Sequence, residues 1–213
     1  MNTLVVVAHP ENRSFCAELA RRAAERLRRE GEVRLLDLYA EDFDPVIRPS
    51  QFPTRASADR FEPMVEQAHQ VAIDKTAADI ADHQLALAWS DCVLLVFPLW
   101  WWSMPAMMKG WIDRVFSTDF AYGKTDLGGR VGMVCTTAET KAKRFLAKDG
   151  RNPLNHIERG ILKFCGLTVA PSFVVSDIYD LSDGDRHKLL SDFEEWVALH
   201  LRKPAQGIEA AQK

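Results

Sequence analysis

Two periodicities alternate along this chain, and that alternation limits its fold more than any other feature. Short continuous apolar runs occupy residues 4–8, 33–38, 93–97, 131–136 and 167–175. Between them the apolar residues recur about every 3.6 positions. A run with no polar alternation is buried on both faces, which suits a parallel strand covered by helices above and below. Parallel neighbours need crossover connections, and these are right-handed. The pattern therefore predicts an α/β, three-layer sandwich around a five-stranded parallel sheet in the order 2-1-3-4-5.

The helical stripes have readable ends. Phe15, Leu19, Ala23 and Leu27 form one stripe opposite Glu18, Arg22, Glu25 and Arg29, and Gly31 stops it. Ala77, Ile80, Ala81, Leu87 and Ala88 form another, and Met108, Trp111, Ile112 and Val115 a third, behind Pro105. Asn152-Pro153 opens a helix through Leu154, Ile157, Ile161 and Cys165, with Gly166 at its end. Ser182 and Asp185 have capping-box spacing ahead of Leu189, Phe193, Trp196, Val197 and Leu201. Residues 42–75 carry Pro45, Pro49, Pro53 and Pro63 and little period, so a long irregular segment at a site or interface is expected there. Residues 1–202 form one domain on this reading, and 203–213 a fraying tail.

Composition removes several classes. Apolar residues at 47% and charged residues at 27% exclude a disordered chain, and a net charge of −3 gives no reason to expect a nucleic-acid partner. The longest apolar stretch, residues 92–102, falls well short of the ~20 residues that span a bilayer, so no direct membrane insertion is expected. No basic region or cleavage site precedes residues 4–8, which points to a cytoplasmic location. Cys16, Cys92, Cys135 and Cys165 form no CxxC pair and read as reduced core thiols. Glu66 and His69 make half of a di-metal spacing with no second copy, so no metal centre is expected. Gly123-Lys124-Thr125 echoes the end of a phosphate loop, but Thr118 stands where that loop needs glycine.

In such a sheet the ligand crevice lies beyond the carboxyl ends of the strands. After the first strand, His9-Pro10-Glu11-Asn12-Arg13-Ser14-Phe15 runs into a helix N-terminus, which favours a phosphate. The alternative is that Asn12 or Ser14 caps the helix and His9 is a turn residue. After the third strand come Pro98, Leu99, Trp100, Trp101 and Trp102. Strand alternation would send Trp100 and Trp102 to one side and Trp101 to the other, so part of this aromatic surface should face the crevice. The alternative is a plug under the neighbouring helix. Thr136 and Thr137 end the fourth strand, either as polar contacts or as strand filling, and Phe120-Ala121-Tyr122-Gly123 is a surface turn or a pocket rim.

Taken together, Ala8-His9-Pro10, Ser14-Phe15, Phe97-Pro98-Leu99-Trp100-Trp101, Pro105, Lys109-Gly110-Trp111-Ile112-Asp113-Arg114-Val115-Phe116, Phe120-Ala121-Tyr122-Gly123 and Phe164-Cys165-Gly166 resemble the NAD(P)H:quinone oxidoreductase family. These are flavoenzymes of flavodoxin-like fold, and the likeness spans nearly the whole chain. The resemblance implies that His9, Ser14 and Phe15 bind the flavin phosphate and ribityl region. It places Pro98, Leu99, Trp100 and Trp101 at the ring with Thr136 and Thr137 beside it, and Trp102, Tyr122 and Phe164 in the substrate pocket. The implied cofactor is FAD, with FMN as the alternative. The implied activity is two-electron, ping-pong hydride transfer from NAD(P)H through flavin to a quinone or similar electrophile. A homodimer is implied too, with Tyr122 and residues 42–75 reaching the partner's pocket. The alternative role implied by some relatives is an ancillary flavoprotein of a membrane potassium-efflux system. One departure stands out: where the family has Thr-Thr-Gly-Gly followed by a Tyr and a His, this chain reads Thr136-Thr137-Ala138-Glu139 and no Tyr or His follows before His156, so that pair is not carried over, and Lys141 or Arg144 are the nearby cations.

Overall fold

The computed structural model describes residues 1–138 and 152–200. Its strands are β1 (Thr3–Val7), β2 (Val33–Asp37), β3 (Cys92–Pro98), β4 (Val131–Thr137), β5 (Thr168–Val169) and β6 (Phe173–Val175). All pair in parallel, in the order β2-β1-β3-β4-β5, with β6 also on β4. The predicted order holds, but the fifth run is divided. Gly132 pairs with Val169 and Cys135 with Phe173, so one extra residue enters between the two strands. The gap contains Pro171, which has no N–H to give to a ladder.

The helices are α1 (Phe15–Leu27), α2 (Pro63–Ala72), α3 (Ala78–Trp89), α4 (Ala106–Val115), α5 (Asn155–Ile157) and α6 (Asp183–His200), and a π-helical stretch, Glu158–Lys163, continues α5. Alternation along the strands splits the core in two. Leu4, Val6, Leu95, Phe97 and Val134 pack with side chains of α3, α4 and the π-helical stretch. Val5, Val7, Leu94, Val96, Met133 and Cys135 pack with those of α1 and α6. The predicted capping box is present: the Asp185 N–H donates to Ser182 Oγ and the Ser182 N–H to Asp185 Oδ2, both at 3.2 Å. Burial pushes the Cys16 and Cys92 thiols up to about 12 and Cys165 up to about 11, so these free cysteines stay protonated as core groups. Leu201 and the predicted tail lie outside the described residues, as do Glu139, Lys141 and Arg144.

Residues 42–75 depart from the expectation of an irregular segment. They contain α2 and a 3₁₀ turn, Pro49–Gln51. The apolar period was invisible because α2 buries Glu66 and Gln70 and exposes Met64 and Val65. Glu66 is only 1% exposed and accepts from the Ala56 N–H and from Arg55 Nε, both at 2.8 Å. Gln70 Nε2 donates to the Thr54 carbonyl. The segment is clamped to α4 at three points: Arg114 donates to the Asp44 carbonyl at 2.7 Å, Gln67 Nε2 donates to the Asp113 carbonyl at 2.8 Å, and Gly110 lies against Pro45. Behind it the Trp111 indole N–H donates to His83 Nδ1 at 2.9 Å. An indole can only donate, so His83 carries its proton on Nε2, 3.0 Å from Glu41 Oε2.

A Cβ on residue 110 would sit 2.1 Å from the Pro45 carbonyl oxygen. Gly110→Ala should therefore displace the 42–47 stretch and lower stability by about 1 to 3 kcal/mol in chemical denaturation. Gly160→Ala, with no atom within 4 Å of the added Cβ, should cost less than about 0.5 kcal/mol. Equal midpoints for the two variants would contradict the clamp.

The Ala56 N–H, and after it Arg55, hold the Glu66 carboxyl below the usual carboxylate range. A depressed folded-state value stabilises above the unfolded-state value and is lost as pH falls through the folded one. Denaturation midpoints between pH 6 and 3 should thus fall more steeply for the parent than for Glu66→Gln, and parallel profiles would count against it.

Candidate active site

Strand register brings three loops to one end of the sheet. Val7 lies beside Val96, and Val96 beside Cys135. Beyond the strands the Ala8 N–H donates to the Val96 carbonyl at 3.0 Å, and the Leu99 N–H to the Thr137 carbonyl at 2.7 Å. The loops after β1, β3 and β4 therefore start as neighbours, at the switch point of the strand order.

The first loop is held by its own side chains. His9 Nδ1 accepts from the Glu11 N–H at 3.0 Å, and Glu11 Oε1 accepts from the Arg13 N–H at 2.9 Å. That second bond is the main reason the Glu11 carboxyl titrates below its usual value. Ser14 Oγ caps α1 by accepting from the Ala17 N–H at 3.1 Å. The cap answers one first-turn donor. The Phe15 and Cys16 N–H groups belong to the same first turn and have no acceptor within the helix. The two readings of Ser14, cap and anion contact, are therefore compatible.

The second loop corrects the strand alternation expected for the tryptophans. β3 ends at Pro98, and Trp100 and Ser103 exchange backbone hydrogen bonds of 3.0 Å in each direction. Trp101 and Trp102 between them have φ of 51° and 60°. This is a two-residue turn with both central residues left-handed, a conformation normally given to Asn-Gly. For bulky residues each such angle costs about 1 to 3 kcal/mol, and strain of this kind gathers at ligand clamps. Trp101 is 97% exposed, so it plugs nothing. Trp102 is half-buried, and the Trp100 ring lies 6.4 Å from that of His9. Ser103 Oγ lies 3.1 Å from His156 Nε2. Neither Ser103 nor His156 carries a motif, and reasoning from the sequence missed both.

At the tip of β4, Thr136 and Thr137 are buried. Thr136 Oγ1 has no hydrogen-bond partner among the described residues. A buried hydroxyl in that state is open to a further polar group.

Tyr122 and Phe164 meet, with ring centroids 5.5 Å apart. The turn that carries Tyr122 closes through an Asp119 N–H to Tyr122 carbonyl bond of 2.7 Å, and Thr118 Oγ1 donates to the Tyr122 hydroxyl at 2.8 Å. Phe164 follows the π-helical stretch and is 65% exposed. Both rings line an open groove of about 310 Å³ with Ile47, Met64, Gln67 and Ile112. None of Trp100, Trp101 and Trp102 lines that groove. The substrate pocket predicted from Trp102, Tyr122 and Phe164 is thus two separate walls within one chain.

Comparison with known proteins agrees with this geometry. The family of flavodoxin-like fold matches residues 1–198. A ribosyldihydronicotinamide dehydrogenase-like protein, traD, of Penicillium crustosum is 31% identical over 98% of this chain and 81% of its own length. The ribosyldihydronicotinamide dehydrogenase (quinone) of Homo sapiens is 34% identical over 78% of this chain and 77% of its own. A solved structure from Klebsiella pneumoniae, described as a candidate quinone reductase, superposes with a TM-score of 0.87 at 29% identity, over 93% of this chain and 84% of that one. With its sheet order and strand-end loops, the chain belongs to the flavodoxin-like fold family and is an oxidoreductase of the NAD(P)H:quinone dehydrogenase type.

Proposed function

We propose that this protein is a flavin-dependent NAD(P)H oxidoreductase that reduces quinones or similar planar electrophiles, and that it works as a homodimer with FAD. The observation that carries the reading is the strained Trp101-Trp102 turn, an aromatic surface kept out of the core at the same strand ends as a buried Thr136 hydroxyl that has no partner among the described residues. The residues present fit a flavin. First-turn N–H groups at Phe15 and Cys16 suit its phosphate, with His9 and Ser14 at the same loop. Pro98, Leu99 and the tryptophans suit the ring, and Thr136 and Thr137 its polar edge. When bound, the flavin supplies the two-electron chemistry that joins NAD(P)H oxidation to quinone reduction.

The protein's own part is position and protons. The tryptophan turn offers flat apolar walls that orient a planar substrate and exclude water. The Tyr122 hydroxyl accepts from Thr118, which leaves its own proton free to meet a substrate oxygen. Dimerisation is supported by the groove that holds Tyr122 and Phe164, since Met64 beside it is 58% exposed and Val46 and Val65 are exposed on the same segment. A second copy covering that face would bring Tyr122 and Phe164 of one chain to the aromatic turn of the other.

The purified protein should be yellow, and mass analysis of the released flavin should give FAD. Protein that stays colourless and takes up neither FAD nor FMN would refute the reading. Ser14→Glu places a negative charge at the α1 N-terminus and should weaken flavin retention about tenfold or more, while the lost cap lowers the stability of the flavin-free chain by only about 1 kcal/mol.

Donor and acceptor should use one crevice in turn. Initial-rate plots against NAD(P)H at several fixed quinone concentrations should therefore be parallel, with inhibition at high quinone. Intersecting lines would mean that both substrates bind at once.

A further inference from the structure

The aromatic turn raises a question of support. Two consecutive tryptophans hold positive φ, and Trp101 gains almost no packing in return. Strain of that kind persists only where surrounding contacts fix it. The backbone pair between Trp100 and Ser103 closes the turn but does not orient it against the rest of the sheet end. Orientation requires contacts to other elements, and one is in view on each flank. On the β1 side the Trp100 ring lies near His9, which is fixed by its bond from the Glu11 N–H. On the far side Ser103 Oγ meets His156 Nε2 at 3.1 Å, across 53 positions of sequence.

His156 is well placed to act as an anchor because its own backbone is held. It lies in α5 between Leu154 and Ile157, both buried in the hydrophobic core. The next residue along, Glu158, accepts from Ser172 Oγ at 2.5 Å and from Asn152 Nδ2 at 3.1 Å. The stretch is thereby tied to the loop between β5 and β6 and to Asn152, ahead of the helix. The imidazole therefore extends from a fixed base to the last residue of the turn. Either tautomer serves, since Nε2 can accept from the Ser103 hydroxyl or donate to it.

We propose that His156 is a positioning residue. Through Ser103 it holds the turn so that Trp101 and Trp102 keep the pose in which they meet a planar substrate. The substrate half of this statement rests on the quinone-reductase reading, and the positioning half does not.

The test uses the full chain with Ser103→Ala, His156→Ala, the double variant and His156→Gln, which keeps a hydrogen-bonding group at the reach of Nε2. Steady-state rates with NAD(P)H and a substituted benzoquinone should show KM raised about 2- to 10-fold in each alanine variant, the span of one neutral hydrogen bond, with kcat within about twofold. The double variant should be no worse than either single one, and His156→Gln should return KM to within about twofold of the parent. Independently of activity, tryptophan emission and acrylamide quenching of the protein alone should shift alike in both single variants and no further in the double. Additive effects in the double variant, or a glutamine that behaves as alanine, would overturn the proposal. Coupled fluorescence shifts in a parent that turns over no quinone would retain the positioning role and reject the quinone-reductase reading.

Discussion

Everything functional in this molecule depends on the ladder that β3 forms with β1 on one side and β4 on the other. Parallel pairing fixes the three strands in register and aligns their carboxyl ends. The Leu99 N–H to Thr137 carbonyl bond extends that alignment one step past the strands. The loop after β1, the aromatic turn and the Thr136 hydroxyl lie at one end of the sheet for that reason. None of them shares a sequence motif with another, and only the ladder brings them together.

The clamp on residues 42–75 works by different physics. This segment is joined to the domain by the buried Phe43 ring and by polar groups such as the Arg114 to Asp44 carbonyl bond, and it is braced internally by polar groups withdrawn from water, Glu66 with its Arg55 and Ala56 donors. Such groups gain little over hydration when paired, and lose much when a partner is removed. They fix a conformation more than they add stability. The same segment supplies Ile47 and Met64 to the groove of Tyr122 and Phe164, so its placement decides what a second copy would meet.

Legibility in the sequence followed hydrophobic period. The runs at 4–8, 93–97 and 131–136 and the stripe of α1 were readable because their burial is apolar and regular. α2 was not, because its buried face is Glu66 and Gln70 and its exposed face includes Met64. The tryptophan turn was misread for a related reason. Alternation assumes a continuing strand, and no residue in Trp100-Trp101-Trp102-Ser103 carries the glycine or asparagine signal of a mirror-type turn. His9, Ser14, Trp101 and Thr136, singled out as strand-end residues, lie at one end of the sheet. The separation of Tyr122 and Phe164 from the tryptophans could not be read from spacing, since it depends on where the turn after α4 folds back.

The divided fifth strand matters beyond topology. An exposed sheet edge invites another chain to add its own backbone, and a long flat edge is the usual start of fibrous association. On the β4 side of this sheet the outer strands are two and three residues long, out of step by one residue, with Pro171 between them. Among the described residues no stretch there is long enough to template an incoming strand, so on this side a highly apolar parallel sheet is protected from growing by a single proline and one extra residue.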